Sequence, residues 1–176
     1  MPLLRLADRA DVETLQELIA RSGRELSVGF YSPSQADAIT RHVFGVDTQL
    51  IDDGTYFIVE DEGRIVACGG WSGRRTLFGG DQTKHGADPL LDPAVEPARI
   101  RAFFVEPGHA RRGHAGRIME ACLAAARGAG FSALELAATL PGEPFYRRFG
   151  FEVSERMELA LPGDVRVGLV RMRMPI

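Results

Sequence analysis

Residues 103–116, FFVEPGHARRGHAG, decide how this chain is read. Phe103, Phe104 and Val105 close a strand that begins near Arg99, Glu106-Pro107-Gly108 turns the chain, and an amphipathic helix opens at Gly113. Its apolar face carries Ile118, Met119, Cys122, Leu123 and Ala126. Backbone N–H groups at a helix start lack intrahelical acceptors, and the positive end of the helix dipole lies at the same point. The pattern therefore predicts an anion site. Gly113 and Ala115 remove bulk where a phosphate must approach the backbone, and Arg111 and Arg112 offer charge-assisted bonds to a pyrophosphate or a ribose phosphate. The competing reading is a tight turn with solvated arginines.

Upstream, Leu3 to Leu6 reads as a strand and Val12, Leu15, Leu18 and Ile19 as the inner face of a helix running to about Leu26. A loop at Gly29 to Pro33 precedes a second helix over Ser34 to about Phe44, with Ile39 and Val43 inward. TYFIVE (Thr55 to Glu60) and RIVACGGW (Arg64 to Trp71) flank Asp61-Glu62-Gly63 as an antiparallel hairpin. Ser72 to Pro97 shows neither the helix nor the strand period, and loops of this length are usually functional or mobile. Downstream, the helix stops at Gly128 and Gly130, Ala133 to Ala138 (ALELAA) is a strand, and Pro144 to Phe149 is a short helix. Phe151 to Leu161 and Val165 to Met174 pair around Pro162-Gly163-Asp164. The alternation predicts one α/β (α+β) domain over residues 1–176, with about seven strands and about four helices.

The chain has 176 residues, 45% of them hydrophobic, which suffices for a core without disulfides or metal. A net charge of −3 predicts no general attraction to nucleic acid or anionic membrane. No apolar run is long enough to span a bilayer and the first residues break into charge too early for a signal peptide, so the expected location is the cytoplasm. Cys68 and Cys122 lie far apart with no metal-ligand spacing; no metal is expected. Of 21 basic residues only Lys84 is a lysine, a bias that GC-rich coding explains as readily as a demand for planar bidentate contacts.

On its motifs the chain resembles the GNAT superfamily of N-acetyltransferases. That family's helix-opening signature is Gln or Arg, two residues of any kind, Gly, one of any kind, then Gly or Ala, starting five residues after a strand valine. Here Ala110-Arg111-Arg112-Gly113-His114-Ala115 follows Val105 at that distance, with Ala110 replacing the polar first residue. Phe145-Tyr146-Arg147-Arg148-Phe149-Gly150-Phe151 resembles the family's late aromatic segment, and the order of the other elements agrees. Ala138-Thr139-Leu140 stands where the family often has an Asn. The resemblance implies the acyl-CoA N-acyltransferase fold, with a central mixed, mostly antiparallel sheet.

It also implies acetyl-CoA as co-substrate and a primary amine of a small molecule or peptide as acceptor, in a monomer or homodimer. Arg111, Arg112, Gly113, His114, Ala115 and Gly116 would bind the pyrophosphate. The backbone of Phe103, Phe104 and Val105 would pair with the pantetheine arm as an added strand. The Phe103 N–H would polarise the thioester carbonyl, and Tyr146 would protonate the departing thiolate. Alternatively Tyr146 simply packs between helix and sheet, and Phe103 and Phe104 are ordinary strand residues. A longer acyl-CoA donor, or a non-catalytic CoA-sensing module, are the alternative functions.

The general base stays open. Arg99 and Arg101 occupy the strand positions where some members carry a Glu, leaving Glu106, Asp81, Glu135 or a water relay. His109 and His114 read as loop residues near phosphate, His42 as a helix-surface residue, and His85 as a residue of the acceptor side. The acceptor pocket is expected from Phe30 and Tyr31, the second helix and the Ser72 to Pro97 loop, with Trp71 as a further wall residue. Asp47, Asp52, Asp53 and Asp81 would suit a cationic amine.

Overall fold

A computed structural model describes residues 1–176. In chain order the elements are β1 (Leu3–Leu6), α1 (Val12–Glu25), α2 (Pro33–His42), α3 (Thr48–Asp52), β2 (Tyr56–Asp61), β3 (Arg64–Ser72), β4 (Ala98–Val105), α4 (His114–Gly128), β5 (Ala133–Thr139), α5 (Glu143–Phe149), β6 (Glu152–Leu161) and β7 (Val165–Pro175). They build one seven-stranded sheet in the order β1-β2-β3-β4-β5-β7-β6. Only β4 and β5 are parallel, and a parallel pair needs a crossover, which α4 supplies. No helix is long and apolar enough to cross a membrane.

Local chemistry explains the elements. Asp8 caps the entry to α1 by accepting from the Ala10 N–H, while Asp11 accepts from the Asp8 N–H. Ser32 and Gln35 form the same reciprocal box at the start of α2, with Pro33 at its first position. The β2–β3 turn places Glu62 and Gly63 at φ 51° and 74°, as a two-residue hairpin turn matched to strand twist requires. Along β2, Tyr56 and Ile58 face α1, whereas Phe57 and Val59 belong to the α4 side. Helices α1 and α2 thus cover one face of the sheet, and α4 and α5 the other.

Five helices form instead of four. The additional one, α3, spans five residues and is capped by Asp47, whose side chain accepts from the Gln49 N–H at 3.0 Å. A segment so short shows no readable period. The second helix ends at His42, two residues before the expected boundary.

The decisive feature lies in the middle of the sheet. Strands β4 and β5 pair only at Ala98 with Leu134 and Arg99 with Glu135, and no pairing continues beyond. An ion pair closes this narrow end, since Arg99 Nη1 lies 3.1 Å from Glu135 Oε1, which Arg171 of β7 also contacts. Just past it β4 carries a bulge: the register against β3 moves from Gly70–Arg101 to Cys68–Phe104, and Ala102 sits at φ 52°. A bulge bends and twists its strand. Gly69 permits it, because a Cβ there would meet the Phe103 ring at 2.7 Å; Gly70 instead makes room on the β2 side, where a Cβ would meet the Thr55 carbonyl at 2.5 Å. The Tyr56 hydroxyl donates to the Ala102 carbonyl at 2.9 Å and satisfies the group that the bulge turns out of the ladder.

Candidate active site

The parted strands leave a cleft of about 810 Å³ that opens to both faces of the sheet. Ala102, Phe103, Phe104 and Val105 line it from β4, and Leu136, Ala137 and Thr139 from β5. On one face its mouth is formed by residues 113–116 of the α4 start and by Phe145, Tyr146 and Phe149 of α5. On the other face it is walled by Leu26 and Phe30, by Ile39, Val43 and Phe44, and by residues 77–80 of the β3–β4 loop. Phe103 and Phe104 point to opposite faces. Phe103 lies 6.2 Å from Tyr146, ring to ring, and Phe104 meets Phe44 edge-on at 5.0 Å.

At the α4 mouth the amides of Arg111, Arg112, Gly113, His114, Ala115 and Gly116 bond to no acceptor within the chain. Gly113, at φ 84°, caps the helix without a side-chain bond, and nothing lies within 4 Å of where its Cβ would stand. Six successive free N–H groups at a helix start, open to a cleft, form a complement for an anion. Arg111 and Arg148 line this mouth, and neither they nor Arg112 has a carboxylate within salt-bridge distance, although most arginines of the chain do. Arg148, on α5, is the cation at this mouth that sequence reading missed. Its place becomes visible only when α5 packs beside α4.

His114 is not a loop residue: it opens α4, is 5% exposed, and its Nε2 is buried with no partner. Burial lowers its pKa. His109 ends a 3-10 turn, its ring 6.3 Å from that of His114.

Tyr146 is buried by Phe103, Phe145 and Phe151, yet its hydroxyl forms no hydrogen bond and the residue faces the cleft. Desolvation raises the phenol well above its usual pKa, so it stays protonated at neutral pH. Pro144 in the first turn of α5 and Gly150 at φ 105° beyond its end fix the helix that presents it.

The acceptor-side expectations are corrected in several places. None of Asp47, Asp52, Asp53 and Asp81 lines the cleft. Asp52 pairs with Arg9 at 2.6 Å, Asp53 with Arg74 at 2.6 Å, and Asp81 binds the Thr48 N–H and hydroxyl. Asp47 is 1% exposed and lies between Arg101 at 2.9 Å and Lys84 at 2.7 Å. Arg101 also donates to the carbonyls of Gly79 at 2.7 Å and Thr76 at 3.3 Å. It therefore ties the β3–β4 loop to β4 and holds Leu77 and Phe78 against the cleft. Two of the three candidate bases are spent in ion pairs, Glu106 with Arg21 and Glu135 with Arg99 and Arg171, and neither lines the cleft. Tyr31 is a clamp instead of a wall residue: its hydroxyl donates to the Gly168 carbonyl at 2.6 Å and accepts from the Leu140 N–H at 3.0 Å. Trp71 packs on Phe131, and His85 lies away from the cleft.

Comparison with known proteins agrees with this architecture. Residues 52–153 match the family model of the acetyltransferase (GNAT) domain. No curated protein sequence matches. Among solved structures, the chain is similar to a GCN5-related N-acetyltransferase from Rhodopseudomonas palustris (TM-score 0.70, 16% identity, covering 100% of this chain and 96% of that one). It is similar also to the paia N-acetyltransferase from Thermoplasma acidophilum in complex with coenzyme A (TM-score 0.66, 11% identity, 100% and 99% covered). A third similar structure is a GNAT family acetyltransferase from Brucella melitensis in complex with acetyl-CoA (TM-score 0.58, 16% identity, 100% and 88% covered). With the family model spanning more than half its length and the sheet parted between β4 and β5, the chain belongs to the GNAT family of acetyltransferases.

Proposed function

We propose that the chain transfers an acetyl group from acetyl-CoA to the primary amine of a small molecule or peptide by direct attack of the amine. The run of six acceptor-free amides from Arg111 to Gly116, of which all but Arg112 belong to residues lining the cleft, carries this reading. Such a cradle suits a pyrophosphate, and the open space at Gly113 lets it approach the backbone. Arg111, Arg112 and Arg148 add charge-assisted contacts. Two of the similar structures hold coenzyme A or acetyl-CoA.

The backbone of Phe103, Phe104 and Val105, on the β4 edge released from β5, accommodates the pantetheine arm by strand-like pairing. The Phe103 N–H, immediately after the bulge, is the donor that polarises the thioester carbonyl. Tyr146 gives its proton to the departing thiolate. The burial that raises the phenol pKa also raises the basicity of a thiolate formed beside it, which keeps the two matched. A longer acyl-CoA is the second reading, favoured by the apolar far side of the cleft.

Thermal unfolding with CoA, acetyl-CoA and longer acyl-CoAs tests the donor. A ligand at a hundred times its Kd adds about 2.7 kcal/mol, or roughly 5–10 °C in Tm for a chain of this size. Absence of any shift refutes the reading.

A further inference from the structure

We infer that the acceptor is an apolar monoamine, taken up in its neutral form. This rests on the acetyl-transfer reading above and deepens it. The far wall of the cleft is built mainly from Leu26, Phe30, Ile39, Phe44, Phe78 and Leu169, with Ser22 and Ser27 of the α1 side as neutral polar side chains, and none of the 36 residues lining the cleft is Asp or Glu. The nearby aspartates that would attract a polycation are spent: Asp47 is enclosed by Arg101 and Lys84, Asp53 is held by Arg74, and Asp52 by Arg9. An acceptor carrying a second ammonium would leave that charge against hydrocarbon with no counter-ion. At the other end of the cleft the only charged side chains are those of Arg111 and Arg148, which repel it.

The same inventory settles the proton. The titratable or charged residues facing the cleft are His109 of the turn before α4, Arg111, His114 of α4, and Tyr146 and Arg148 of α5. All lie toward the anion mouth or the thioester. From α1, α2 and the β3–β4 loop the lining residues include no titratable side chain. The nitrogen must therefore arrive with its lone pair free. That pair forms the bond to the acetyl carbon, the carbon–sulfur bond breaks with its electrons on sulfur, one N–H proton leaves to water, and sulfur takes one proton from Tyr146, which regains it from water. Atoms and charge balance without a protein base.

The test compares hexylamine with hexamethylenediamine, equal in length and differing by one terminal ammonium, in a CoA-release assay with acetyl-CoA. The expected kcat/KM favours hexylamine by at least about tenfold. It should rise with pH until the amine's own pKa, while an arylamine already neutral at pH 7 gives a flat profile there. In Phe30→Glu, at a half-exposed wall position, the preference for the monoamine should shrink. Equal or faster use of the diamine overturns the inference. So does a pH midpoint that is the same for every amine, which points to a protein base. Preference for octanoyl-CoA with a polar acceptor overturns it by assigning the apolar wall to the acyl chain. If acetyl-CoA raises Tm but neither amine is acetylated, this inference fails while the donor reading stands. If acetyl-CoA raises no Tm, the donor reading itself fails and takes the inference with it.

Discussion

Asp47→Asn probes the ionic knot that holds the β3–β4 loop against the cleft. Asp47 is 1% exposed, accepts from Arg101 at 2.9 Å and Lys84 at 2.7 Å, and caps α3 through the Gln49 N–H. Asparagine keeps the shape and, with its oxygen toward the Gln49 N–H, remains a good cap, but it sets an amide NH2 where Oδ2 accepted from Arg101, so the variant removes the charge and that hydrogen bond together. Together with Asp88, which is 3.5 Å from Lys84, the native cluster is neutral; the variant leaves one net positive charge under the loop. Removing one partner of a buried pair costs about 3–5 kcal/mol. The lower end applies, because Lys84 is 19% exposed and retains Asp88. For a chain of this size that lowers Tm by roughly 6–12 °C, measurable by calorimetry and by urea unfolding. Because Arg101 holds the carbonyls of Thr76 and Gly79, the displaced loop should raise KM for the amine more than it lowers kcat. Stabilisation by acetyl-CoA should persist, since its amide cradle lies at the start of α4, on the other face of the sheet. A loss below about 1 kcal/mol, the range of an exposed pair, refutes the reasoning, as does an unchanged KM.

Tyr146→Phe should leave stability almost unchanged, since the hydroxyl has no partner to lose, and lower kcat by about a hundredfold or more at unchanged KM. Parent-like turnover removes the proton-donor role. Gly70→Ala sets a Cβ 2.5 Å from the Thr55 carbonyl and should cost about 1–3 kcal/mol in urea unfolding. Gly113→Ala meets open space, so its cost is the left-handed backbone alone, about 1–2 kcal/mol, with acetyl-CoA affinity lowered as the cradle turns. A Gly70→Ala loss below about 1 kcal/mol would mean that the crowding against Thr55 is relieved by a local shift. Arg5 holds the Asp11 carboxyl below its ordinary value, so this pair's stabilisation is complete above the unfolded pKa near 4 and fades as pH falls through the folded one. Asp11→Asn should thus lower Tm at pH 7 and match the parent near pH 2; a constant gap across that range would contradict it.

The legible parts of this protein are those whose cause is local. The glycine at 113 after Val105, the period of Ile118, Met119 and Cys122, and the two-residue turn at Glu62-Gly63 each announce their geometry within a few residues. The amide cradle was legible for the same reason: a helix start exposes its N–H groups wherever the helix packs. The bulge left a weaker trace, the glycine pair inside ACGGW, which reads as a bulge only once β4 lies beside β3.

Charges were the least legible. Asp47 and Arg101 are separated by 54 residues, and Arg99 and Glu135 by 36, so nothing in the local pattern distinguishes a spent carboxylate from a free one. The aspartates read as a lure for a cationic amine turned out to be structural, and Arg101, which stood where a base was sought, became the anchor of the β3–β4 loop. Sequence by itself determined most of the elements, their order and the helix start with its free amides, because these follow from short-range sterics and hydrogen bonding. Only the tertiary structure decided where the sheet parts, which arginines have no carboxylate partner and that the far wall of the cleft holds no carboxylate, because each depends on which distant side chain comes within reach of another.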